Sequence, residues 1–120
     1  MHELSIAMSL IDVITETLIR EDATGASRVT VEVGALSGVV PEALRTAFAG
    51  AVRNTDLAGC ELAIIPVGVT IWCDPCATER PATAVNDLRC GVCSWPATRL
   101  MRGRELDVVE IALVTPEHSR

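Results

Sequence analysis

Four of the five cysteines fall in two tight pairs, Cys73-Asp-Pro-Cys76 and Cys90-Gly-Val-Cys93, with thirteen residues between the pairs. Two such knuckles can fold back to face one another and close a four-thiolate cage. Zn²⁺ carries no geometric demand from its d electrons, so four thiolates set tetrahedrally satisfy it and leave no open position. The spacing therefore points to a structural metal held by Cys73, Cys76, Cys90 and Cys93, not to a catalytic one. The rival chemistry is redox, since a single CxxC pair can cycle to a disulfide. Two pairs at ribbon spacing favour the metal. Cys60 has no partner in sequence and reads as a buried, inert core thiol.

The chain opens Met1-His2-Glu3. His2 is bulky, and trimming of the initiator methionine generally requires a small second residue, so the terminal amine is expected to be that of Met1. An amine and an imidazole one residue apart can bind the same ion, with the intervening amides as further nitrogen donors. A planar nitrogen set suits Ni²⁺ or Cu²⁺ and suits tetrahedral Zn²⁺ poorly. A helix starting near Leu4 would leave its first amides without intrahelical acceptors. The alternative is an ordinary Met-His start that binds nothing, because a cation there meets the unfavourable end of the helix dipole. The residues alone leave both open. His118 lies in a polar tail without a nearby partner and is given no role.

Several elements must position these groups. Residues 4–21 read as a helix, with Leu4, Ala7, Met8, Ile11, Ile14 and Leu18 on one stripe and Gly25 as the stop. Val29, Val31 and Val33 alternate with polar residues, as in a half-exposed strand. Pro41 suits the first turn of a second helix, with Glu42 favourable to its dipole and Leu44, Ala47, Phe48, Ala51 and Val52 on its apolar face. Residues 61–67 read as a strand that Pro66 either ends or confines to an edge. Residues 104–114 read as the last strand, with a phase shift that predicts a bulge or two-sided burial. The expected organisation is a main domain of residues 1–68 and 102–120, interrupted by a cysteine module at 69–101. Trp72 and Trp95 flank the cage and are expected to form its apolar floor.

Composition narrows the function. Apolar residues make up 49% of the 120, enough for a core, but Phe48, Trp72 and Trp95 are the sole aromatics. The net charge is −6, with ten arginines and no lysine. That field, with so few stacking residues, argues against a nucleic-acid partner. No segment reads as long and apolar enough to cross a membrane; Asp12 and Glu16 interrupt the hydrophobic opening, which also lacks a basic signal-peptide flank. A cytoplasmic location is expected, where paired cysteines more often bind metal than form disulfides. Arg80, Arg89, Arg99, Arg102 and Arg104 outnumber Asp74, Glu79 and Asp87 in and beside the module, a net +2. A Zn(Cys)₄ centre adds −2, so screening of thiolates accounts for these arginines.

Together these residues resemble the hydrogenase-maturation nickel metallochaperones of the HypA/HybF family. The likeness rests on Met1-His2-Glu3-Leu4-Ser5-Ile6-Ala7, Leu36-Ser37-Gly38-Val39, Pro41-Glu42-Ala43-Leu44-Arg45, Ala47-Phe48, the two CxxC pairs, and Gly103-Arg104-Glu105-Leu106 with Val109-Glu110-Ile111. The resemblance implies an α+β fold: a small sheet packed with two helices, plus a zinc ribbon inserted before the last strand. It implies nickel ligation by His2, with the Met1 amine and early backbone, including Glu3, and structural zinc on Cys73, Cys76, Cys90 and Cys93. It implies a carrier, not an enzyme, that delivers nickel to the large subunit of a nickel–iron hydrogenase. An accessory GTPase would be its immediate partner, and some relatives also serve urease. The rival is a zinc-ribbon scaffold or regulator without a nickel role. Two departures stand out. Val40 replaces a carboxylate that many relatives carry before Pro41, and the linker 77–89 holds no histidine.

Overall fold

The structure is a computed structural model that describes residues 3–116. Its elements in chain order are α1 (Glu3–Glu21), β1 (Gly25–Gly34), α2 (Pro41–Val52), β2 (Glu61–Val67), β3 (Thr70–Cys73), β4 (Thr78–Ala84), β5 (Asp87–Cys90), β6 (Arg99–Arg102) and β7 (Leu106–Val114). Strands β2, β1 and β7 form a three-stranded sheet in that order, and β5, β4, β3 and β6 form a four-stranded one. The fold is α+β, as expected. Contact density divides it into two compact units. One comprises residues 1–31, 39–64 and 108–120; the other comprises 32–38 and 65–107. The cysteine segment 69–101 lies wholly within the second.

In the first unit α1 and α2 pack on one another. The buried face of α1 is Ile6, Ala7, Leu10 and Ile14. This corrects the expected stripe, because Leu4 is 59% exposed and Met8 49%. The helix carries apolar residues around more than half its circumference. Periodicity therefore allowed two stripes, and packing against α2 selects one. Asp22, not Gly25, ends the helix: its φ of 54° is left-handed, and the Ala23 N–H reaches back to the Leu18 carbonyl at 2.9 Å. Aspartate tolerates that conformation better than most residues, and the freed Gly25 begins β1 instead.

Helix α2 starts as expected, with Pro41 in its first turn and no side-chain cap from Val40. The Val40 N–H donates instead to Glu3 Oε2 at 3.2 Å, so the first turn of α1 ties down the entry to α2. Leu44, Phe48 and Val52 are its buried residues. Cys60 is buried beside Glu61; burial first, and then the Glu61 charge, push its thiol up, as an inert core cysteine requires. Strand β7 opposes β1 in the reverse sense, with Thr24 bonded to Val114 and Arg28 paired to Glu110. It begins at Leu106, two residues later than the pattern implied.

In the second unit β3 pairs antiparallel with β4, Thr70 opposite Pro81 and Cys73 opposite Thr78. The segment 32–38 meets the chain near Gly103. The Gly34 N–H donates to Glu105 O at 2.7 Å, the Ala35 N–H to Val67 O at 2.9 Å and the Leu36 N–H to Gly103 O at 2.6 Å. A Cβ on Gly34 would lie 2.2 Å from the Gly103 carbonyl oxygen, so only glycine fits. Arg102 lies between Glu32 and Glu105, at 3.9 and 3.6 Å. Backbone amides of Glu105 and Gly103, then Arg102, hold the Glu105 carboxyl below its usual range. Among the described residues no helix is long and apolar enough to cross a membrane.

Two glycine substitutions separate close approach from mere flexibility. Gly34→Ala should cost more than about 3 kcal/mol, because backbone must move. Gly50→Ala, in α2 with open space at its Cβ, should stabilise by about 0.5–1 kcal/mol. Urea unfolding of the two variants beside the parent protein measures both.

Candidate metal centre

Two hairpin-like turns of the same construction carry the cysteines. Strand β3 ends at Cys73 and the chain turns through Asp74-Pro75-Cys76-Ala77 before β4. Strand β5 ends at Cys90 and turns through Gly91-Val92-Cys93-Ser94. In each, the residue after the second cysteine takes a left-handed backbone, Ala77 at φ 55° and Ser94 at φ 65°. Ala77 N–H closes its turn on Asp74 O at 3.1 Å, and Ser94 N–H closes the other on Cys90 O at 2.9 Å. Gly91 is needed because β4 passes close: its N–H donates to Pro81 O at 2.8 Å, and a Cβ there would sit 2.9 Å from that oxygen.

These turns bring all four sulfurs within 4.8 Å of one another. Cys73 Sγ and Cys93 Sγ are 3.4 Å apart, and none of the cysteines is in a disulfide. Four Zn–S bonds of about 2.3 Å in a tetrahedron place sulfurs about 3.8 Å apart, between these separations, so the donor set suits a four-thiolate metal. Cys73 and Cys90 are fully buried, Cys76 is half-buried and Cys93 exposed. Ile71 shares the buried cluster with Cys73 and Cys90, and Ala82, Ala97 and Leu100 pack against it.

The expected tryptophan floor is therefore corrected. Trp95 is 51% exposed. Trp72 alternates with Ile71 and Cys73 along β3 and so faces away from them. Its Nε1 donates to Asp74 Oδ1 at 3.0 Å, and the Arg99 guanidinium lies over its ring, 5.6 Å from the centroid. Ile71, Ala82, Ala97 and Leu100 surround the buried sulfurs in place of the indoles.

The thiols differ. Burial pushes Cys73 up to about 12, with its neighbouring thiols adding to the rise against the Cys76 amide. Burial would raise Cys90 too, but the amides of Cys93 and Val92, both 3.4 Å from its sulfur, and the thiols of Cys73 and Cys93 bring it down to about 6. Cys90 thus offers a thiolate at neutral pH. A metal entering the cage must displace the proton that burial holds on Cys73. One residue that counting charges did not distinguish is Arg80. It shares the parity of Thr78 and Ala82 on β4, and those are the positions opposite Cys73 and Cys90.

Met1 and His2, the expected terminal ligands, lie outside the described residues. Glu3 is half-buried, with its Oε2 accepting from Val40. Glu42 forms an ion pair with Arg45.

A two-helix α+β chain with a four-cysteine ribbon able to hold a metal ion defines a small metal-handling protein. The family model described as hydrogenase/urease nickel incorporation, metallochaperone, HypA matches residues 1–113. Hydrogenase maturation factor HypA of Chloroflexus aurantiacus is 40% identical over 116 residues, 97% of this chain and 100% of that protein. The protein of the same name from Deinococcus radiodurans is 43% identical over 111 residues, 90% of this chain and 89% of the other. The solution structure of the Ni metallochaperone HypA from Helicobacter pylori matches with a TM-score of 0.67 at 22% identity, covering 97% of this chain and all of that one; this likeness bears on the fold alone. The chain belongs to the HypA family of hydrogenase maturation factors. That family is one of metallochaperones.

The left-handed backbone at Ala77 is costly for any residue with a Cβ. Ala77→Gly should stabilise the metal-loaded ribbon by up to about 1 kcal/mol. Guanidinium unfolding followed by the fluorescence of Trp72 and Trp95 would record the change as a higher midpoint.

Proposed function

We propose that this protein is a nickel carrier that takes Ni²⁺ at its first residues and delivers it during maturation of a nickel–iron hydrogenase, or of urease. The observation that carries this reading is the HypA family match that begins at residue 1 and so includes Met1-His2. The Met1 amine and His2 imidazole would supply nitrogen donors, with the early backbone amides completing a planar set that favours nickel over zinc. Glu3 supports the site by anchoring the start of α1 to Val40; with its Oε2 so engaged, we assign it to positioning the terminus. Nickel is cargo here. Its ligands must be exchangeable, which a chain terminus permits because donors can be displaced one at a time.

Cys73, Cys76, Cys90 and Cys93 would hold a resident Zn²⁺ that keeps the ribbon in shape. The mutual sulfur distances and the absence of a disulfide support this assignment. The accessory GTPase of the nickel-insertion pathway and the hydrogenase large subunit are the partners this role calls for.

A calorimetric Ni²⁺ titration of zinc-loaded protein with an untagged N-terminus, beside His2→Ala, tests the carrier. One tight site should vanish in the variant while zinc stays bound in both. Equal nickel binding by the two proteins, or none by either, would leave a zinc-ribbon scaffold as the better account. Acid should also weaken nickel binding. Amine and imidazole have reference pKa values of about 7.7 and 6.5 and must both lose protons to bind, so affinity should be high at pH 7.5 and much lower at pH 5.5.

A further inference from the structure

We infer that Arg80 is the outer cation of the four-cysteine site: its guanidinium faces the sulfurs from β4 and offsets the charge of the loaded cage. The inference rests on the reading of that cage as a zinc site.

Strand geometry places Arg80. In β4, Thr78, Arg80 and Ala82 share one face, and their partners are Cys73, Ile71 and Cys90. Opposed residues of an antiparallel pair point to the same side. Ile71, Cys73 and Cys90 are fully buried there. A guanidinium on that face is anomalous unless something there compensates it, since burying a polar group without a partner is costly. Arg80 Nε is buried and has no hydrogen-bond partner among the described residues.

The sulfurs are that compensation. The Cys76 thiol acts on Arg80 more strongly than any other group, by hydrogen bond and by charge, and Cys90 and Cys73 add to it. Zn²⁺ with four thiolates carries a net charge of −2. A guanidinium cannot be deprotonated in this setting and offers donors in a fixed plane, so it is suited to stay charged beside thiolates. The arginines nearby are engaged elsewhere. Arg89 pairs with Asp87 at 2.6 Å, Arg99 lies over Trp72, and Arg102 pairs with Glu32 and Glu105. Arg80 is left as the cation of the cage itself.

A donor and a positive charge beside a metal thiolate lower the electron density on sulfur. Arg80 should raise metal affinity by offsetting the −2 charge of the loaded cage, and the donor it presents should make the Cys76 sulfur a poorer nucleophile. Groups that orient and polarise metal ligands in this way are typically worth about 10–100-fold in metal affinity.

The test uses the full untagged chain and Zn²⁺ as the probe, with a chromophoric chelator in competition. Arg80→Met keeps the length of the side chain and removes the charge and donors. Its zinc affinity should fall about 10–100-fold. Arg80→Lys should recover most of the loss. In zinc-loaded protein, iodoacetamide should alkylate Cys76 faster in Arg80→Met than in the parent, as read by mass spectrometry. A merely space-filling arginine would leave both readouts unchanged, and parental affinity and alkylation in Arg80→Met would overturn the inference. Should Arg80→Met fail to hold the ribbon, Arg80→Lys and Arg80→Gln decide. Higher affinity and slower Cys76 alkylation in the lysine variant support the role; equal behaviour of the two overturns it. Parental protein that binds no zinc would overturn the zinc reading, and this inference with it. Parental protein that binds zinc no better than Arg80→Met would overturn this inference alone.

Discussion

Four sulfurs held within 4.8 Å of one another are the constraint on which the second unit depends. The ribbon has little else to bring its strands together. Its buried cluster consists of Ile71 with Cys73 and Cys90, joined by small residues and Leu100. Segments of this size rarely bury enough apolar surface to offset the entropy of ordering their backbone, and metals or disulfides usually make up the difference. No disulfide is present, and the cysteines themselves occupy the centre where a hydrophobic core would sit. On the proposed zinc reading, ligation and folding of the ribbon are one problem, as in other small metal-dependent modules.

The first unit solves a different problem with ordinary means. Its buried residues are aliphatic, apart from Phe48, Cys60 and Thr30, and most of them come from the two helices and β1. The proposed nickel role turns on the start of α1. Glu3 accepts a hydrogen bond from the Val40 N–H at the entry to α2, and in doing so it pins the first described residue to a second element. A terminus intended to hold an exchangeable cation needs free donors on a fixed base. The base is visible here, and the donors of Met1 and His2 are those that the proposed role requires.

Much of this could be read in advance because the signals were local. Pro41 at the start of α2 and Pro66 at an edge strand are backbone facts carried by a single ring. The strand of Glu61–Val67 and the helix of Pro41–Val52 follow from short runs with clear punctuation. Cys60 as a core thiol followed from its isolation. The misreadings arose where two local answers were equally good. In α1, Leu4 and Met8 compete with Ile6 and Leu10 for the interior, and no period distinguishes the two stripes. Gly25 is the more usual helix stop, but Asp22 reached the left-handed region first. The two tryptophans looked like a floor because they flank the cysteines, whereas strand alternation turns Trp72 outward and the turn after Cys93 leaves Trp95 in solvent.

By itself the sequence determined the candidate ligands, two CxxC pairs at ribbon spacing and an initial Met-His, and a charge balance that disfavours phosphate backbones. Thiolate count and spacing are properties of composition and chain length, so they survive without coordinates. Only the tertiary structure decided which groups surround the cage. It gave the two central sulfurs opposite tendencies, because burial acts on Cys73 while amides converge on Cys90. It also separated Arg80 from four other arginines of equal formal charge. Charge is additive along a chain, but the field at a sulfur depends on distance and facing direction, and those exist only once β4 has paired with β3.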